Sequence, residues 1–236
     1  MEETREQRVG QVRPSQIMFA YGVGAIVDLP HLSVMVMGLD DWDKYRSLSR
    51  PISDERLLQV VQWTLGDQVR QLLNPPTVTE GIGLPDPLDE ANQSGVPVAL
   101  FPRWMVCPKC RLLAPINSGL FRIDHHRVYA ERSRCVHVTC NKATEPAVVP
   151  ARFMVACENG HLDDFPWREF AHYGRSDCTG TLRLLEYGPA GEAREVEVYC
   201  DTCKKGRRLS QAFGNQGKAS MPQCRGRRSP CRGGGA

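Results

Sequence analysis

Ten cysteines, all beyond residue 106, constrain the fold of this 236-residue chain more than any other feature. They come as close pairs and spaced singles. Thiols arranged this way either cross-link or hold metal, and the compartment decides which. The N-terminus, Met1-Glu-Glu-Thr-Arg-Glu-Gln-Arg8, is polar and has no apolar leader region behind it. The longest apolar stretches, around Ile17–Val27 and Leu32–Leu39, are interrupted by Gly, Ser or Asp and fall short of the roughly 20 residues that span a membrane. A cytoplasmic protein with no membrane partner is therefore expected. Thiols stay reduced there, so the cysteines are read as metal ligands.

Cys107-Pro-Lys-Cys110 is followed after 24 residues by Cys135 and Cys140, with four residues between the last two. Two close pairs at this separation make the pattern of a zinc ribbon, in which each pair sits on a tight knuckle and together they complete a tetrahedron. The second pair is wider than the ideal two-residue spacing. His137 lies inside it and is an alternative ligand. A redox dithiol at Cys107 and Cys110 is the other reading, but no βαβ pattern surrounds them. Cys200-Asp-Thr-Cys203 forms a further knuckle, and Cys178 and Cys224 stand 21 residues before it and 20 after it. The set Cys178, Cys200, Cys203 and Cys224 is expected to hold a second zinc ion, with Cys231, Cys157 and His161 as competitors. Four thiolates close the coordination shell, so both sites read as structural and no catalytic residue is assigned. A phosphate loop, a Gly-x-Ser-x-Gly elbow and the zinc-deaminase signature are all absent from the sequence.

The rest of the chain offers little core. Gly and Pro number 21 and 17, which implies many loops and modules small enough to need metal. Short strands are expected at Ile17–Tyr21, Ala25–Leu29 and Leu32–Met37. Apolar residues from Leu57 to Leu73 recur at three and four positions, predicting a long amphipathic helix over 54–73 with Ser53 as N-cap and Asn74-Pro75-Pro76 as its stop. Residues 75–97 read as a linker. Strands over 98–106 and 148–157, a short helix over 164–173 and a hairpin of 181–187 with 195–199 follow. The expected fold class is α+β: short strands and one long amphipathic helix with zinc-ribbon-like modules. Its divisions are an N-terminal region 1–97, a zinc-ribbon region 98–203 and a basic, Gly-rich tail 204–236.

The net charge of +3 is unevenly spread. Residues 1–100 carry 8 Lys/Arg against 14 Asp/Glu, and from Lys204 onward nine basic residues stand with no acid. Lys204, Lys205, Arg207 and Arg208 are thus candidate contacts to nucleic acid, the alternative being a solvated terminus. Phe213 is the one aromatic there, so base stacking is not expected.

Several motifs resemble those of a known family. Arg13-Pro-Ser-Gln16, Tyr21-Gly-Val-Gly-Ala-Ile-Val-Asp-Leu-Pro30, Gly38-Leu-Asp-Asp-Trp42, Arg103-Trp104 and Ala156-Cys-Glu-Asn-Gly-His-Leu-Asp-Asp-Phe-Pro-Trp167 resemble the DrmB family of the bacterial DISARM phage-defence system, which is associated with an MrfA-type zinc-binding domain. The similarity covers most of the chain up to about Cys203. It implies a non-catalytic zinc-binding subunit that partners a helicase in a complex acting on DNA. Members of that family are much longer, so this chain reads as a fragment or truncated form. Two rival functions stand beside it: a freestanding nucleic-acid-binding zinc module, and a metal-dependent enzyme using His161 and nearby aspartates.

Overall fold

A computed structural model describes residues 16, 20–29, 32–42, 49–75, 96–124, 134–188 and 192–225. Residues 13–15 of the first motif, residues 17–19 of the expected strand at 17–21, most of the 75–97 linker, Cys231 and the rest of the last eleven residues lie outside these; Ala20 and Tyr21 form a turn, not a strand. The chain divides into two compact units, one of residues 1–27 and 35–99, the other of residues 28–34 and 100–236.

The first unit takes in most of three short strands, β1 (Ile26–Asp28), β2 (Ser33–Val36) and β3 (Val98–Leu100), which pair in that order. Met35 and Val36 are buried, as an apolar run on a central strand requires. Helix α1 (Leu39–Trp42) is a single turn, and its Trp42 indole donates to the Met37 carbonyl at 3.0 Å. Helix α2 spans Glu55–Leu65, only 11 residues. Its N-cap is Asp54, not Ser53, and the carboxylate accepts from the Leu57 N–H at 2.9 Å.

The expected long helix over 54–73 does not form. Gly66 adopts φ 85° and returns its N–H to the Gln62 carbonyl, which ends α2. The Gln62 side chain then bonds the Val69 carbonyl, and Leu73 bridges to Pro51. The second half of the apolar stripe is thereby spent on a turn and a bridge. No residue of α2 is buried, and Trp63 is 80% exposed. The α+β expectation is accordingly corrected: among the described residues the protein is mostly β-sheet, with a few short helices.

The second unit is built on a six-stranded antiparallel sheet. Its strands are β4 (Trp104–Val106), β5 (Leu112–Pro115), β8 (Val149–Pro150), β11 (Leu182–Glu186), β12 (Val196–Cys200) and β13 (Gly206–Arg208), ordered β13-β12-β11-β5-β4-β8. Two hairpins accompany it, β6 (Phe121–Asp124) with β7 (Arg134–His137) and β9 (Met154–Ala156) with β10 (Leu162–Asp164). The expected strand over 148–157 is thus divided between β8 and β9. Strands β11 and β12 alternate cleanly, turning Leu182, Leu184, Val196, Val198 and Cys200 inward. The first strand of the basic segment, β13, is an edge strand of this sheet, and helix α4 (Gly214–Ser220) follows it.

Helix α3 (Trp167–Ala171) plugs the core. Trp167 is fully buried, with the Phe165 ring 4.6 Å away and the Phe153 ring edge-on at 6.2 Å. Truncating so large a buried side chain leaves a cavity, so Trp167→Ala is expected to cost roughly 3–5 kcal/mol, read by denaturant unfolding. Its indole N–H is buried without a hydrogen-bond partner. Trp167→Phe, which removes that donor along with some volume, should cost markedly less than Trp167→Ala.

Candidate metal centres

Two hairpin tips carry the same backbone turn. In the first, between β4 and β5, the Cys107 N–H bonds the Leu112 carbonyl and the Arg111 N–H bonds the Cys107 carbonyl. In the second, between β12 and β13, the Cys200 N–H bonds the Lys205 carbonyl and the Lys204 N–H bonds the Cys200 carbonyl. Arg111 and Lys204, the residues just after each second cysteine, both take the left-handed conformation, at φ 64° and 56°. A non-glycine residue there is strained by roughly 1–2 kcal/mol. The gain is a turn that points both sulfurs of each pair to one side.

Around the first tip, Cys107, Cys110, His137 and Cys140 place one ligand atom each, all within 4.8 Å of one another. Cys107 Sγ lies 3.9 Å from Cys140 Sγ, and Cys110 Sγ lies 3.4 Å from His137 Nδ1. Tetrahedral zinc with Zn–S near 2.3 Å separates two sulfurs by about 3.8 Å, and a sulfur and a nitrogen by slightly less. The spacing fits a shared ion. Burial holds the pKa of His137 below the ordinary value, favouring the neutral imidazole that binds metal. Burial, with the neighbouring Cys107 thiol, pushes Cys110 up to about 11. At Cys140, burial acts upward too, but hydrogen bonds from the Lys142 and Ala143 backbone and from the Cys110 and Cys107 thiols together outweigh it and bring the thiol down.

Cys135, expected as a ligand, is not in this group. It lies on β7 two residues before His137, a separation of roughly 7 Å along an extended strand. It is fully buried, and desolvation pushes its thiol up to about 11. Its place is taken by His137, steadied edge-on by the Phe121 ring at 5.5 Å. His137-Val-Thr-Cys140 has the two-residue spacing that Cys135 and Cys140 lack.

Around the second tip stand Cys178, Cys200, Cys203 and His172. Cys178 Sγ is 3.7 Å from Cys200 Sγ and 3.2 Å from Cys203 Sγ. The hydrogen bond that Cys203 shares with Cys178 pushes Cys203 up to about 11, and the same contact brings Cys178 down. The Gly180 N–H reaches Cys178 Sγ at 3.3 Å. A Cβ on Gly180 would lie 2.4 Å from Thr202 Oγ1 and 3.0 Å from Cys200 Sγ, so the chain crosses this tip too closely for a side chain. His172, just past the end of α3, donates from Nδ1 to the Arg168 carbonyl at 2.7 Å. That bond fixes the tautomer and leaves the Nε2 lone pair buried with no hydrogen-bond partner. An orphaned acceptor beside three thiols is what a metal would satisfy. Three thiolates and an imidazole suit zinc at both groups, and they fill all four positions of a tetrahedron.

Cys224, the fourth expected ligand here, lies elsewhere, 3.4 Å from His161 Nδ1. Nothing in the sequence marks His172; the fold delivers it by docking α3 against β12.

The aspartates beside His161 are engaged with arginines. Asp164 is buried and accepts from the Arg103 N–H at 2.7 Å and from Arg103 Nε at 2.8 Å, while Asp163 pairs with Arg225 Nε at 2.6 Å. Of the four candidate nucleic-acid contacts, Lys204, Lys205 and Arg208 are exposed. Arg207 is not. Its guanidinium is buried between Phe170, 4.3 Å from the ring centre, and Tyr173, at 4.8 Å.

Among the described residues no helix is long and apolar enough to cross a membrane. The chain is similar to the DISARM protein DrmB of Bacillus paralicheniformis (strain ATCC 9945a / NCIMB 11709 / CD-2), at 34% identity over 130 residues. That alignment takes in 53% of this chain and 21% of the relative, so the chain spans about a fifth of that protein's length. The resemblance read from the motifs is thus supported across half of the sequence. A family described as Domain of unknown function (DUF8724) matches residues 13–234, and the chain belongs to it.

Proposed function

We propose that this protein is a non-catalytic, zinc-binding accessory subunit of a DISARM-type antiviral complex, in which a helicase partner acts on DNA. The similarity to a DISARM protein supports the defence role. The observation that carries the accessory reading is the donor set of the two groups, three cysteines and one histidine each, gathered around the tips of two hairpins of one sheet. Such sets leave no position for an activated water, and they stabilise a scaffold. The reading as a metal-dependent enzyme loses its aspartates to Arg103 and Arg225. The nucleic-acid module loses Arg207 to the core.

Co-expression of the tagged chain with its neighbouring gene products tests this. A helicase subunit is expected to co-purify through high-salt washes. The purified chain alone is expected to bind DNA weakly, with affinity falling only modestly as salt rises, because Lys204, Lys205 and Arg208 can neutralise only a few phosphates. Recovery of the chain without any helicase, together with tight DNA binding by the chain alone, would overturn the accessory reading in favour of a freestanding module.

A further inference from the structure

We infer that Cys157, His161 and Cys224 form a third metal site, which fastens the segment after α4 to the tip of the β9–β10 hairpin. Cys157 Sγ lies 3.2 Å from His161 Nδ1, and Cys224 Sγ lies 3.4 Å from the same nitrogen. The three ligand atoms are all within 4.8 Å of one another although Cys224 is 63 residues from His161. One imidazole nitrogen carries either one proton or one lone pair, so it can make a good hydrogen bond to only one of two thiols. Convergence of both sulfurs on Nδ1 is instead the geometry of ligands around a common ion. The sulfur–nitrogen distances match the 3.4 Å between Cys110 and His137 in the first group.

The hairpin tip is shaped for the task. The Cys157 N–H bonds the His161 carbonyl, and the Gly160 N–H bonds the Cys157 carbonyl, both at 3.0 Å. Gly160 takes φ 75°, which closes the loop and presents Cys157 and His161 together. The incoming segment is aligned by the next residue, since Arg225 Nε bonds Asp163 at 2.6 Å, two residues beyond His161. Two thiolates and an imidazole select a borderline-soft divalent cation, zinc before magnesium or calcium. Cys224 is exposed and the other two are half-buried, so this ion is held nearer to solvent than those of the other two groups. The inference stands apart from the defence role, because it concerns only the metal content of the chain.

The test uses the full chain in reduced form, with Zn2+ and Co2+ as probes. Elemental analysis should find one equivalent more than the two four-ligand groups account for. Cys224→Ser and His161→Ala should each remove that equivalent, leaving the thermal melt of the β-sheet nearly unchanged. Titration of the metal-free chain with Co2+ should show thiolate-to-cobalt absorption that keeps growing past the second equivalent in the wild type and stops there in Cys224→Ser. Saturation of the wild type at two equivalents would overturn the site. So would a Cys224→Ser protein that keeps the wild-type stoichiometry for both probes.

Discussion

Stripping metal from the reduced chain with a strong chelator is expected to unfold the six-stranded sheet, and adding zinc back to restore it. Metal binding at closed cysteine-histidine groups is folding free energy, on the order of 10 kcal/mol per ion in small zinc domains. A whole domain is stable by only about 5–15 kcal/mol, so losing either ion removes a margin comparable to the total. The sheet has particular need of them. Its strands are three to five residues long apart from the two-residue β8, and both knuckle hairpins end in a left-handed residue that metal-free cysteines have little means to hold. Thermal melts followed by near-ultraviolet circular dichroism decide the matter. Superimposable melts with and without chelator would show that the sheet stands on its own packing.

His137→Ala is expected to release one metal ion and lower stability by several kcal/mol, whereas Cys135→Ala keeps the full complement. The two residues lie on the same strand and both are buried, so burial alone does not separate them. Reach does. The imidazole extends to within 3.4 Å of Cys110 Sγ, while the Cys135 thiol, held up near 11 by desolvation, stays protonated as a small apolar filler. Removing it leaves a cavity of about one sulfur atom, a cost near 1 kcal/mol. Metal content measured beside unfolding separates a lost ligand from a lost contact. A Cys135→Ala protein short of one ion would restore the four-cysteine reading.

The cysteine spacing made both knuckles legible, since Cys-x-x-Cys at a hairpin tip is a local signal that survives any tertiary context. The hairpin of β11 and β12 was legible for the same reason, its alternation being local. The fourth ligands were harder. His137 stands at two-residue spacing from Cys140, but in the sequence such a histidine reads more readily as a surface residue, and only the fold buries it beside Cys110. His172 depends on where the last turn of α3 docks, and a single sequence carries no record of that. The helix over 54–73 failed through a different cause. Apolar periodicity counts side chains and is blind to Gly66, where one positive φ outweighs three later leucines and valines. Arg207 misled because charge composition says nothing of aromatic neighbours, here supplied by Phe170 and Tyr173 from another element.

Arg183 has a part in both knuckles at once. From β11, between the two hairpins, its guanidinium donates to the Cys110 carbonyl and, at 2.7 Å, to the carboxylate of Asp201 inside the Cys200–Cys203 turn. A tether of this kind obeys reciprocity: whatever the filling of one site contributes to the other through Arg183 must be returned in equal measure.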